Sequence, residues 1–172
     1  MNAEEEVIAA IEGMGPIERG RLVNWMRNGD LRTRAAVYRL TEVAWERISP
    51  EPTMQEQCVF MASYLLECLR ADPQDLGDCV LNGFEAAWGL ASWLKHLAAK
   101  GAVPVIADVA DRLADLYRKG DSSLRGRIET GTLEHTLESP ALRPFFRNWQ
   151  TDAILTEAYE HALEWARAHE TQ

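Results

Sequence analysis

Apolar residues in this chain recur three and four positions apart, in segments that are separated by Gly, Pro and Asp. This spacing places apolar side chains along one face of an α-helix, whereas a strand would require strict alternation. No segment alternates in that way, and none is rich in β-branched residues. The pattern therefore predicts an all-α fold, and the length of 172 residues fits one domain with its own core.

Gly, Pro and capping residues divide the chain into about seven to nine helices in a single bundle that covers residues 1–172. Asp30 and Asp121 are typical N-caps, and Thr53 with Glu56 three residues later forms a capping-box pattern. The expected helices cover residues 3–12, 16–27, 30–48, 53–70, 75–99, 103–118, a short segment after 121, and 152–169. The stretch 130–150 is expected to be less regular. Helix pairs stacked as a short solenoid are compatible with this pattern, although no repeat is evident.

The balance of charge is acidic, with 27 acids against 18 bases and a net charge of −9. Such a surface repels phosphate backbones, which argues against nucleic-acid binding. It attracts a basic protein partner, although the same charge also serves solubility alone.

The start of the chain and its cysteines favour a cytoplasmic protein without a membrane segment. Residues 1–6 lack the positive start and apolar core of a secretory signal, and the most apolar stretch, 86–94, is too short to cross a bilayer. Cys58, Cys68 and Cys79 are odd in number and lack a C-x-x-C spacing. We therefore expect buried thiols in a reducing compartment, with neither a disulfide framework nor a zinc site.

Two helices carry acidic rows on the side opposite their apolar face. The rows are Asp108, Asp111 and Asp115 on the sixth helix, and Glu157, Glu160 and Glu164 on the last helix. Each row is either a solvated outer face or a surface that receives a cationic partner, and like charges at this spacing cost little without a function.

The fourth helix places Phe60 on its polar side, between Glu56 and Glu67, with Tyr64 at the edge of that face. An outward aromatic residue flanked by acids is typical of a protein-binding hot spot. In the alternative interpretation, Phe60 packs under a neighbouring helix.

The fifth helix is apolar over a wide arc, which includes Phe84 and Trp88, and is expected to be the central, most buried helix. The remaining narrow strip carries the candidate lining of a shallow ligand pocket along residues 75–99: Glu85, Ser92, Trp93 and His96.

Motifs for catalysis, phosphate binding and metal binding do not occur. The chain lacks a P-loop, a G-x-G-x-x-G turn, a G-x-S-x-G elbow and an H-E-x-x-H pair. Ser92 and His96 lie one turn apart without an orienting acid, so we expect no catalytic residues, no metal and no cofactor.

A local basic cluster (Arg118, Lys119, Arg125 and Arg127) is either a phosphate or acidic-partner site or a solvated helix end.

A stretch in the last third resembles part of a group of small helical bacterial proteins. Ile128 to Glu134 (IETGTLE), followed by Leu137-Glu138 and then residues 142–149, is similar to proteins of unassigned function, some of which look like immunity proteins encoded beside toxins. The resemblance implies a partner-binding protein and assigns no functional residue.

Two functions follow from these observations. The first is a non-catalytic module that binds a basic protein, such as an immunity protein or antagonist that neutralises a toxin enzyme. Its candidate contacts are Glu56, Phe60, Tyr64, Glu67, Asp108, Asp111 and Asp115. The second is a ligand-binding or enzymatic protein with a pocket along the fifth helix. The sequence leaves the oligomeric state open.

Overall fold

The computed structural model describes residues 1–72 and 80–170, and it is almost entirely helical, which confirms the all-α expectation. Buried side chains from Val7 to Ala166 form one hydrophobic core cluster. The helices of the described part are α1 (Ala3–Glu12), α2 (Arg19–Asn28), α3 (Leu31–Val43), α4 (Met54–Ala71), α5 (Gly83–Ala99), α6 (Val103–Lys119), α7 (Ser122–Gly126), α8 (Glu134–Leu137) and α9 (Thr156–His169).

The capping residues identified in the sequence begin the helices as expected. Asp30 accepts a hydrogen bond from the backbone N–H of Thr33 at 2.8 Å, and Asp121 accepts one from Leu124 at 2.8 Å. At α4, the Thr53 hydroxyl accepts from the N–H of Glu56 at 3.2 Å, while the Glu56 carboxylate accepts from the N–H of Thr53 at 2.9 Å. Local chemistry therefore determines these boundaries.

The second and third helices are shorter than predicted because tertiary contacts hold the adjacent backbone. Ile17 pairs with Ile48 in a two-residue parallel ladder that joins β1 (Ile17–Glu18) to β2 (Ile48–Ser49). Arg47 donates to the carbonyls at the end of α1, at 2.7 Å to Ala10 and 3.2 Å to Ile11. A 3₁₀ turn therefore replaces the predicted continuation of α3.

Helix α5 lies at the centre of the bundle and contacts α4, α6, α8 and the segment before α8. In a solenoid each repeat contacts only its neighbours along the chain, so this arrangement is a bundle rather than a stack. The helix begins at Gly83 with Asn82 as its N-cap, later than the predicted start. Residues 75–79 of that prediction lie outside the described part.

The less regular region is helical as well. A π-helical segment (Arg127–Leu133) connects α7 to α8, and a 3₁₀ helix (Arg143–Thr151) precedes α9. The π-helical segment crosses α5 closely at Gly131, where an added Cβ would lie 2.6 Å from the Cβ of Ala87. The Thr132 hydroxyl donates to the carbonyl of Ala87 at 3.1 Å, so the crossing has both a steric and a polar contact.

A buried arginine joins α4, α5 and the π-helical segment. Arg127 is 6% exposed, and its guanidinium donates to the carbonyl of Leu69 at 3.1 Å and to the hydroxyl of Ser123 at 2.9 Å. It lies 3.6 Å from the carboxylate of Asp72, which accepts from the N–H of Gly83 at 2.7 Å. A buried charge requires such partners, so these contacts act together.

We predict that Arg127→Met lowers the free energy of unfolding by about 2–4 kcal/mol, because the Leu69 carbonyl loses its donor and the Asp72 carboxylate loses the positive charge beside it. Urea unfolding followed by circular dichroism measures the change. Arg167→Met, at an exposed position of α9, is the matched control and should change stability by less than about 0.5 kcal/mol. Equal stability of the two variants would show that the buried contact is not important.

Candidate functional site

The aromatic residues of the α4 candidate face are buried, which corrects the prediction of an outward hot spot. Phe60 is 4% exposed and Tyr64 is fully buried. Their rings stack with centroids 5.9 Å apart, and Tyr38 of α3 covers Tyr64 at 5.2 Å. The alternative interpretation, in which Phe60 packs under neighbouring helices, is the correct one, because α2 and α3 both contact α4.

The two glutamates of that face are held by arginines from other helices. Glu56 receives two hydrogen bonds from Arg19, at 2.9 and 3.0 Å. Glu67 receives one from Arg34 at 2.7 Å. The two carboxylates that were predicted to contact a partner protein therefore accept hydrogen bonds within this chain instead.

The groove above α4 carries more bases than acids. Two adjoining cavities of about 500 and 490 Å³ share Arg34 and Ser63 in their linings. The charged residues of both linings are the bases Arg27, Arg34, Arg70, Arg112 and Lys119 and the acids Glu56, Glu67 and Asp115. This excess of bases does not favour a basic partner at the groove. Most of the bases come from helices other than α4, so the sequence pattern of α4 alone did not reveal them.

The acidic rows on α6 and α9 are exposed. Asp108, Asp111 and Asp115 all lie on the solvent side of α6. Asp108 and Asp115 form ion pairs within the helix, at 3.6 Å to Arg112 and 3.0 Å to Arg118. The row on α9 (Glu157, Glu160 and Glu164) is exposed too. Intrahelical pairs on an exposed surface are weak, so the acidic character persists.

An exposed aromatic pair on α5 was missed by the sequence analysis, which placed both residues in the apolar core arc. Phe84 is 46% exposed and Trp88 is 53% exposed, with ring centroids 6.1 Å apart. The buried side of α5 is narrower than the apolar arc. Ser92 and His96 follow Trp88 at intervals of four residues and are exposed as well. These polar residues on the same face of the helix were the sequence signal that Phe84 and Trp88 could be exposed.

The crossing at Gly131 positions the aromatic pair. A Cβ added to Gly131 would lie 3.7 Å from both the Phe84 and the Trp88 ring, so the two rings flank the π-helical segment. Both side chains therefore lie beside Gly131, and each leaves about half of its surface in solvent. The pair therefore forms a pre-arranged apolar surface.

The predicted α5 pocket does not bring its four residues together. The Glu85 carboxylate accepts from the N–H of Asn82 at 2.8 Å and completes a capping box. Ser92 and His96 are exposed, and the His96 ring stacks on Trp93 with centroids 5.1 Å apart. Trp93 instead lines a cavity between α2, α3 and α4. The four residues share the α5 strip, but neighbouring helices cover only one part of it.

The local basic cluster is mostly engaged within the protein. Arg125 donates to the carbonyls of Tyr117 and Arg118 at the end of α6, at 2.8 and 3.0 Å. Arg118 also contacts Asp152 at 2.9 Å, and Arg127 is the buried arginine described above. Of the cluster, Lys119 is the exposed member. The helix-end interpretation therefore fits better than a phosphate site.

Two cysteines occupy the core, as expected. Cys58 and Cys68 are buried free thiols; burial raises the pKa of both, that of Cys68 to about 11. Cys79 lies outside the described part. Among the described residues, no group of three or more His, Cys, Asp and Glu could hold a metal ion.

No family model, no curated protein and no solved structure matches this chain. Within the described part, every helix is too short or too polar to traverse a lipid bilayer.

The ion pair between Arg19 and Glu56 predicts a defined acid sensitivity. The Arg19 hydrogen bond and the Thr53 backbone hold the pKa of Glu56 at about 2, below its ordinary 4.5. A lowered folded-state pKa stabilises the protein above pH 4.5, and this stability is lost as the pH falls towards 2. We expect Glu56→Gln to have a lower melting temperature than wild type at neutral pH. The difference in melting temperature between the two proteins should shrink as the pH falls from 4.5 towards 2.

Thermal melts at a series of pH values measure this effect. Glu46→Gln, which changes an exposed glutamate of the 3₁₀ turn, is the matched control and should follow the wild-type curve. A difference between Glu56→Gln and wild type that stays constant from neutral pH to pH 2 would contradict the prediction.

Proposed function

We propose that this chain is a non-catalytic protein-binding module that holds a basic protein, with Phe84 and Trp88 as anchors and the acidic rows of α6 and α9 as electrostatic attractors. The exposed aromatic pair on α5 carries the proposal. Single exposed apolar residues are common on protein surfaces, but two adjacent aromatic side chains form a patch. Tryptophan and other aromatic residues dominate the energetics of many interfaces.

The pair has the properties of an anchor that requires little reorganisation. Gly131 and Ala87 bring two helical segments into contact, and the rings of Phe84 and Trp88 lie close to that contact. Because the backbone beneath them is helical and packed, burial of the rings by a partner costs little conformational entropy. The same rings would gain apolar burial and edge or stacking contacts.

The distribution of charge favours a basic partner at Asp108 and Asp111 of α6 and at the α9 row rather than at the α4 groove, whose lining includes Asp115 among more bases than acids. The carboxylates of the α6 and α9 rows point to solvent, whereas Glu56 and Glu67 are neutralised by Arg19 and Arg34. Exposed acidic rows raise the rate at which a basic protein associates, more than they raise the final affinity.

In the finer form of the proposal, the partner is a basic toxin enzyme and this chain is its immunity-type antagonist. An acidic surface of this kind can cover a cationic active site. The resemblance of the IETGTLE stretch supports this form, and that stretch forms the π-helical segment that borders the aromatic pair.

A capture experiment with matched baits tests the proposal. The protein is immobilised and incubated with extract of its own cells at low salt, in parallel with Phe84→Ala and Trp88→Ala. We expect one basic protein to be retained by wild type, and about tenfold less of it by each variant, because each removes an anchor. High salt should weaken the capture, since it screens the acidic rows.

Two controls make the result specific. Ile154→Ala changes an apolar residue that is 50% exposed outside the pair, and it should capture the protein as wild type does. Replacing Asp108, Asp111 and Asp115 together with Asn should slow association of the captured protein, with little change in its dissociation rate. Capture that is equal for wild type and Trp88→Ala would show that the pair is not the anchor.

A further inference from the structure

Four aromatic side chains line a cavity of about 250 Å³ between α2, α3, α4 and α5. The rings belong to Tyr38, Trp45, Phe60 and Trp93. The rest of the lining consists of Met26, Thr41, Glu42, Gln57 and Met61. We call these nine residues the aromatic box. It shares no residue with the exposed Phe84–Trp88 pair, so it is a separate feature of the molecule.

The rings of the aromatic box are held from outside the cavity. Tyr38 and Phe60 both pack against the fully buried Tyr64, with centroids 5.2 and 5.9 Å away. The indole N–H of Trp45 donates to Glu51 at 3.2 Å. The fourth ring, Trp93, stacks on His96. A ligand would therefore meet rings that are already in place, which lowers the entropic cost of binding.

The charge of the aromatic box is negative. Glu42 is the one charged residue in its described lining, which contains no Lys, Arg or His. Burial raises the pKa of the Tyr38 hydroxyl, and the neighbouring Glu42 carboxylate raises it further. The α4 groove shares Met26 and Phe60 with this cavity but is lined by arginines. The two neighbouring cavities therefore favour charges of opposite sign.

We propose that the aromatic box binds a methylated ammonium group, with the aromatic rings around the cation and Glu42 at its edge. Aromatic faces attract cations, and cages of several rings are suited to quaternary ammonium groups. A lysine ammonium is strongly hydrated and would have to lose water that the rings cannot replace. Methyl groups pack against rings and methionine side chains instead.

The size of the cavity supports a small head group. Its volume of about 250 Å³ is below the range of about 300–1,000 Å³ for drug-sized ligands.

Binding of choline tests the proposal against its uncharged carbon isostere, in which a tert-butyl group replaces the trimethylammonium. Tryptophan fluorescence and saturation-transfer NMR of the methyl protons report binding to the full chain. We expect saturable binding of choline and at least about tenfold weaker binding of the isostere, because only the cation gains from the rings and Glu42. Equal binding of the two compounds, or no saturable binding of any methylated ammonium, overturns the proposal.

A methylated ammonium group can come from a small molecule or from a trimethylated lysine of a protein. A short peptide that carries trimethyl-lysine is titrated beside choline, with the unmodified lysine peptide as its control. Tighter binding of choline identifies a small-molecule site, and tighter binding of the trimethylated peptide identifies a side-chain site. Preference for the unmodified lysine peptide contradicts the proposal.

Variants link the binding to the aromatic box. Glu42→Gln changes an exposed side chain, so the fold is preserved, and we expect about threefold weaker choline binding. Trp45→Leu should weaken it by about tenfold. Glu46→Gln changes an exposed glutamate outside the box, and it should bind choline as wild type does. Unchanged choline affinity in Glu42→Gln and Trp45→Leu would place the binding elsewhere.

Discussion

One buried guanidinium determines how the two central helices meet. Arg127 donates to a carbonyl in the last turn of α4 and forms an ion pair with Asp72, whose carboxylate accepts from the first N–H of α5. The contact leaves no room for a side chain at Gly83, where a Cβ would lie 2.5 Å from the arginine. Helix α4 carries the groove, and α5 carries the exposed aromatic pair and Trp93. Both regions therefore depend on a charge that is stable only while it is fully paired.

Ion pairs between helices set the local sign of the surface. The whole chain has a charge of −9, yet the lining of the α4 groove holds more bases than acids, and its glutamates Glu56 and Glu67 are paired with Arg19 and Arg34. The acidic rows of α6 and α9 remain exposed, and the ion pairs that Asp108 and Asp115 form lie within α6 itself. The net charge therefore influences how fast a charged partner associates with the protein, but it does not determine which part of the surface the partner contacts.

Aromatic residues serve three different purposes in this fold. Trp149 is fully buried and belongs to the core. Trp88 lies on the surface beside Gly131, where its exposed face can meet a partner. Trp93 lines a small cavity, and its buried N–H has no hydrogen-bond partner among the described residues. The side chain has the same chemistry in all three positions, and the neighbouring helices decide which property is available.

Sequence alone determined the helical class, the caps at Asp30, Thr53 and Asp121, and the acidic row of α6, because each follows from interactions within four residues of the chain. It could not place Phe60, since α2 and α3 cover that face of α4 from distant parts of the sequence. It could not place Phe84 and Trp88 either, because the apolar arc of α5 is wider than the surface that its neighbours bury. Burial and local charge are decided by which helices meet. That choice depends on long-range contacts such as those of Gly131 and Arg127, which only the tertiary structure reveals.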